Sequence, residues 1–221
     1  MNVKMAVQMA EDDDIEVKYV VANDDVASAP KAVKEQRHGI AGGFFMWKVG
    51  GARAAKGGSL DDVIASAQNV VNRTKSICVG LEPCVIPALG HSNFKIEDGT
   101  MEFGVGHHGE AGTKVEKLKS ASEMAQEMAE TILNDFDFEE GKEVAVMLSG
   151  LGATPVMELY VLYDEVEKVL AKAGHKVWKT YIGNYVTSLD MNGASLTIVD
   201  LDDEIKELLS EPAVPIGMKN Y

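Results

Sequence analysis

Only two cysteines, Cys78 and Cys84, occur in 221 residues, too few for the disulfide framework of a small secreted domain. They sit six positions apart in one predicted strand and the loop after it, so buried apolar roles are expected in place of a bridge. No apolar run approaches the roughly 20 residues that a membrane helix needs, and no secretory-type segment is recognisable. Both observations point to a reducing cytoplasm. Basic residues are also scarce: 21 Lys and Arg stand against 35 Asp and Glu, for a net charge of -14. A surface of that sign repels phosphate backbones and anionic lipid, so neither nucleic acid nor a membrane is an expected partner. Internal repeats and low-complexity tracts are absent.

What remains is the composition of an ordinary globular protein, 46% hydrophobic and 25% charged, with room for one large or two small domains. Residues 2–10 carry helix formers and an apolar stripe, and 16–22 (E-V-K-Y-V-V-A) read as a buried strand. The acidic turn N-D-D-V-A-S-A-P follows, with Asp24 and Asp25 expected to be solvated. Residues 39–55 are apolar and rich in small residues, which suits a closely packed helix. Ser59 is placed to cap a helix running to Asn72, with Asp61 and Asp62 in its first turn. The Gly57-Gly58 junction before it is the expected domain boundary, dividing 1–58 from 59–221.

Beyond that boundary the pattern alternates. Strands are expected at 76–81, 94–96, 101–105, 143–149, 177–183 and 194–199. Ser120 and Glu123 form a capping-box pattern ahead of a helix bearing Met124, Met128, Ile132 and Leu133 on one face, read as core. Thr154 is expected to cap a helix beginning at Pro155 and closed by Gly174, and a last helix covers 202–210. Strands interleaved with helices make the class α/β: two α/β domains, the first incomplete, each with a predominantly parallel or mixed sheet.

The stretch M-E-F-G-V-G-H-H-G-E-A-G, from Met101 to Gly112, concentrates the chemistry. Two adjacent histidines bracketed by Gly106 and Gly109 stand at the end of a strand, and a neutral imidazole is a competent nucleophile, base or metal ligand near neutral pH. Glycine-flanked histidines also occur in plain turns, and this reading stands beside the chemical one. A zinc site could draw on His107, His108 and Glu110 with His91 or Cys84. Adjacent residues of an extended chain point to opposite sides, however, so one metal rarely takes both histidines. Gly104, Gly106 and Gly109 also satisfy G-x-G-x-x-G, but a dinucleotide site needs a helix to open at the third glycine, where a charged segment stands instead. G-L-G-A-T-P at 150–155 opens a helix without the Lys-Ser/Thr of a P-loop.

The nonapeptide G-V-G-H-H-G-E-A-G resembles the G-x-G-I-H-G-E-P-G segment of the substrate-binding subunit of dihydroxyacetone kinases. Three further blocks are similar to that family in the same order: L-E-P-C-V-I-P-A-L-G (Leu81 to Gly90), G-L-G-A-T-P-V-M-E-L-Y (Gly150 to Tyr160) and G-N-Y-V-T-S-L-D-M-N-G-A-S-L-T (Gly183 to Thr197). The resemblance implies that His108 bonds covalently to the ketone of dihydroxyacetone as a hemiaminal, with Gly106, Gly109 and Glu110 lining the substrate. It implies no cofactor on this chain. ATP, or an ADP recharged by a phosphotransferase-system protein, would sit with magnesium on a separate helical kinase subunit, and the substrate-binding subunit would be a homodimer. It implies as well that the sequence begins inside the first domain, after a glycine-rich G-G-G-S-G-H-E-P motif of the family. Two positions depart from the family pattern: His107 replaces isoleucine and Ala111 replaces proline. A non-catalytic ketone-binding regulator would share the same histidine, and is the alternative reading.

Overall fold

The computed structural model describes residues 2–92, 94–137 and 141–215. Its centre is one sheet of six strands: β1 (Thr74–Glu82), β2 (Thr100–Phe103), β3 (Lys114–Lys117), β4 (Glu143–Gly150), β5 (Lys176–Gly183) and β6 (Asn192–Asp200). They lie in the order β3-β2-β1-β6-β4-β5. The sheet is mixed, and only β4 and β5 run parallel; β1 with β2, β1 with β6, β2 with β3 and β4 with β6 are antiparallel.

The near-continuous apolar run of β4, and the burial of β6 along its length, follow from helices on both faces of the sheet. Alternate residues divide between them. Ile77, Val79, Val144, Val146, Leu148, Leu196 and Ile198 pack under α4 (Ala121–Asp135) and α5 (Val156–Lys172). On the other face Ala145, Met147, Tyr181 and Val199 meet α2 (Gly43–Ala55), α3 (Leu60–Asn72) and α6 (Asp203–Ser210). The methionine-bearing face of α4 is core, with Met128 and Ile132 fully buried. Because α2 and α3 pack on each other and α2 shares a core with β4, the Gly57-Gly58 junction lies between two helices of one layer. The expected end of the second unit at 221 lies outside the described residues.

Local signals set several helix ends. Ser59 with Asp62, and Ser120 with Glu123, form full capping boxes. Each satisfies two helix-end N–H groups that would otherwise lack partners. Asp202 caps α6 by accepting from Ile205 N. After α5, Gly174 adopts φ 83°, letting His175 N donate to Leu170 O and Gly174 N to Ala171 O, a Schellman ending.

Several expectations are corrected. Residues 16–22 form no strand and are not buried: Tyr19 is 45% and Val21 62% exposed. A strand needs a ladder, and only the next residues reach a free edge, where Asp25 bridges Ser76 in parallel on the part of β1 that β2 leaves open. Residues 94–96 are likewise irregular, although the Asp98-Gly99 turn is present with Gly99 at φ 75°. The charged segment after Gly112, to which the sequence assigns no element, forms an edge strand, β3. Pro155 rather than Thr154 occupies the cap of α5. The Thr154 hydroxyl is spent elsewhere, donating to Gly193 O at 2.6 Å and accepting from Gly193 N at 2.8 Å. An α-helix, α1 (Asn2–Asp12), opens the chain with no buried residue. Among the described residues no helix is long and apolar enough to cross a membrane.

Candidate functional site

Strands β2 and β3 are the arms of a hairpin, and residues 104–113 are its tip. Gly104 turns the chain out of β2 at φ 77°, its N–H donating to Cys78 O at 2.7 Å, and a Cβ there would strike Ala27. Gly109 turns it back at φ 82°. Both conformations favour a residue without a side chain. Across the tip Gly106 N donates to Glu110 O at 2.9 Å and Gly109 N to Gly106 O at 3.2 Å. At the base, Gly112 N donates to Glu102 Oε1 at 2.6 Å and Thr113 N to Phe103 O at 2.8 Å. The tip is thus held as a closed backbone ring that carries His107 and His108.

The two histidines occupy opposite environments. His107 turns inward: its Nε2 lies 3.3 Å from Val186 O, its carbonyl accepts from Ser188 Oγ, and its Nδ1 is buried with no partner among the described residues. Burial, first of all, lowers its pKa, which keeps the ring neutral. His108 turns outward, its side chain 84% exposed. Its backbone N–H donates to Glu110 Oε2 at 2.9 Å, and its Nδ1 lies 3.1 Å from Glu110 Oε1. The carboxylate can only accept, so the neutral ring carries its proton on Nδ1 and presents the Nε2 lone pair to solvent. Burial works against the Glu110 carboxylate. The amides of Glu110 and His108 and the His108 ring outweigh it and hold that pKa below the ordinary range. Gly106 has no room for a side chain, since a Cβ there would run into Glu110 Oε2.

Most of the chain is similar to known proteins. Residues 1–216 match the Dak1 domain. The chain belongs to that family. It is 40% identical over 204 residues to a protein of Listeria innocua serovar 6a named as the dihydroxyacetone-binding subunit DhaK of PTS-dependent dihydroxyacetone kinase 1, covering 92% of this chain and 62% of that one. It therefore spans about three fifths of the length of that relative. Among solved structures it is similar to the dihydroxyacetone kinase of C. freundii, with a TM-score of 0.84, 27% identity, and 95% of this chain and 38% of that one covered. It is also similar to the dihydroxyacetone kinase operon co-activator Dha-DhaQ, with a TM-score of 0.87, 30% identity and coverage of 95% and 65%.

In this Dak1 chain the expected site residues come together: Gly106, His108, Gly109 and Glu110 form the hairpin tip. His91 and Cys84 do not join them in a metal cluster; among the described residues no three His, Cys, Asp or Glu side chains are grouped to hold an ion. Both cysteines are free and buried. After Gly109 the chain enters β3 and not a helix, so the G-x-G-x-x-G spacing presents no amides to a pyrophosphate.

The acidic turn is the main surprise. Asp24 and Asp25 are each 2% exposed rather than solvated. Asp24 accepts from Ile40 N at 3.1 Å and Gly42 N at 2.7 Å, just ahead of α2, which is where a carboxylate is best placed. Asp25 accepts from Ala27 N at 3.0 Å, and burial pushes its pKa up to about 6. Sequence reasoning also missed Val186 and Ser188, which seat His107. Their one signal was their place in the block from Gly183 to Thr197.

Proposed function

We propose that this chain is the ketone-holding part of a dihydroxyacetone-kinase-type phosphotransferase, and that His108 captures the substrate. The supporting observation is the Glu110 contact to His108 Nδ1, which leaves Nε2 as a free lone pair on a solvent-facing ring. In the proposed step Nε2 attacks the carbonyl carbon of dihydroxyacetone and the carbonyl π pair moves onto oxygen. The oxygen takes a proton from solvent while Nδ1 gives its proton up through Glu110, and the product is a neutral hemiaminal. A small polar ketone offers little surface for tight non-covalent binding. A covalent bond fixes its orientation, and glycerol, which lacks a carbonyl, is rejected.

Phosphoryl transfer needs a nucleotide, magnesium and cations around the moving group. In this reading they come from a separate subunit carrying ATP, or an ADP recharged by a phosphotransferase-system protein. The name of the Listeria relative supports a PTS-linked source. The test is intact-protein mass spectrometry with dihydroxyacetone. The native chain should gain the mass of one substrate molecule, His108→Ala should gain none, and His107→Ala should still form the adduct. An adduct that persists in His108→Ala would sink the assignment.

A second reading has support of its own, the similarity to the co-activator Dha-DhaQ. In it the chain forms the adduct and transfers no phosphate. Supplying the nucleotide-bearing subunit and measuring dihydroxyacetone phosphate separates the two: adduct with product favours the kinase, adduct without product the regulator.

A further inference from the structure

A polar cavity of about 390 Å³ opens between the 3-10 turn at Lys31–Gln36, the end of α3, the start of β1 and the end of α4. In a chain of net charge -14 its walls carry four cations, Lys31, Lys34, Arg73 and Lys75, against three carboxylates, Asp135, Asp137 and Asp200. Each carboxylate already has a cation. Both oxygens of Asp135 accept from Arg37, at 2.7 and 2.8 Å; Asp137 pairs with Lys31 at 2.8 Å; Asp200 pairs with Arg73 at 2.6 Å. Arg73 also lies 3.4 Å from Asp202.

Lys34 and Lys75 are left over. Lys34 is exposed and forms no ion pair among the described residues. Lys75 is only 6% exposed, and its ammonium meets the face of Phe136 at 5.7 Å and one acceptor, Thr74 O, at 3.2 Å. An ammonium carries three donors, so among the described residues two of them have no acceptor, on a side chain that faces the cavity rather than bulk water. A buried cation left in this state is costly. A polyvalent oxyanion in the cavity would satisfy the spare donors and offset the surplus charge. One wall also supplies an acceptor, since Asp200 Oδ1 is buried without a partner among the described residues and would receive a hydroxyl.

We propose that this cavity is a binding site for a small phosphate-class anion, gripped by Lys75 from inside and Lys34 from the rim. It stands apart from the His108 loop and does not depend on the role assigned there. The test is calorimetric titration of the native chain with inorganic phosphate and with glycerol phosphate, against chloride at matched ionic strength. Phosphate should bind where chloride does not. Lys75→Met, which keeps the apolar stem, and Lys34→Ala should each weaken binding about tenfold, the loss of one charge-assisted contact. Lys34→Ala changes an exposed side chain and keeps the test valid if Lys75→Met fails to fold. Tighter binding of glycerol phosphate would assign the site to a phosphate monoester with Asp200 as hydroxyl acceptor; equal binding would assign it to free phosphate. No heat beyond the chloride control, or affinity unchanged in Lys34→Ala, would overturn the proposal.

Discussion

Two stretches of this chain look alike as sequence and end differently: 16–22, E-V-K-Y-V-V-A, and 143–149, E-V-A-V-M-L-S. The second is the middle of the protein. It pairs with β5 on one side and β6 on the other, and Val144 to Leu148 are fully buried. The first has no ladder partner among the described residues, and Val21 stays 62% exposed. Apolar content offers a strand, but ladder partners and a covering layer make one, because an extended backbone with unpaired N–H and C=O groups gains nothing by leaving water. The N-terminal segment meets the sheet only after 16–22, at the junction where Asp24 and Val26 hydrogen-bond with Ser76 of β1.

That contrast can be broken by substitution. Leu148→Ala removes a fully buried side chain from the cluster under α4 and α5 and should cost about 2 to 5 kcal/mol in chemical denaturation. A loss below about 1 kcal/mol would mean that the sheet centre is loosely packed.

The junction gives the next largest effect. The Asp25 pKa is raised by burial to about 6, so the folded chain holds a proton there that the unfolded chain has released. Stability from this group is therefore complete below the ordinary aspartate range. It is lost as pH rises towards about 6 and stays lost above that, by roughly 3 kcal/mol over about two pKa units. Asp25→Asn should remove this slope, so the difference in stability between variant and native chain should grow in favour of the variant between pH 4 and 6 and then level off. A constant difference across that window would show that the carboxyl is not desolvated. The smallest effect is expected at Val21→Ala, within about 0.5 kcal/mol by the same denaturation measurement. A larger loss would place Val21 under cover that the contacts of this chain do not supply.

The hairpin tip follows the same rule on a smaller scale. Gly106, His108, Gly109 and Glu110 were legible as a group because they lie within five consecutive residues, which a short loop keeps together whatever surrounds it. The separate fates of the histidines were only half legible. Alternation says that neighbours face opposite ways, but that His107 faces in depends on Val186 and Ser188, about eighty positions further on. Burial of Asp24 and Asp25 was not legible at all, since an acidic turn reads as solvated until α2 and β1 close over it.

By itself the sequence determined what acts over a few residues: the two capping boxes, the glycine ending of α5, the apolar alternation of the inner strands, and a glycine-lined loop with an imidazole and a carboxylate two positions apart. Tertiary structure alone decided which apolar run became a strand, that the charged residues after Gly112 became an edge, that the Thr154 hydroxyl went to Gly193 instead of a helix end, and which histidine met water. The reason is range. A cap or turn is satisfied by atoms a few bonds away, whereas burial and ladder pairing depend on partners that only folding brings near.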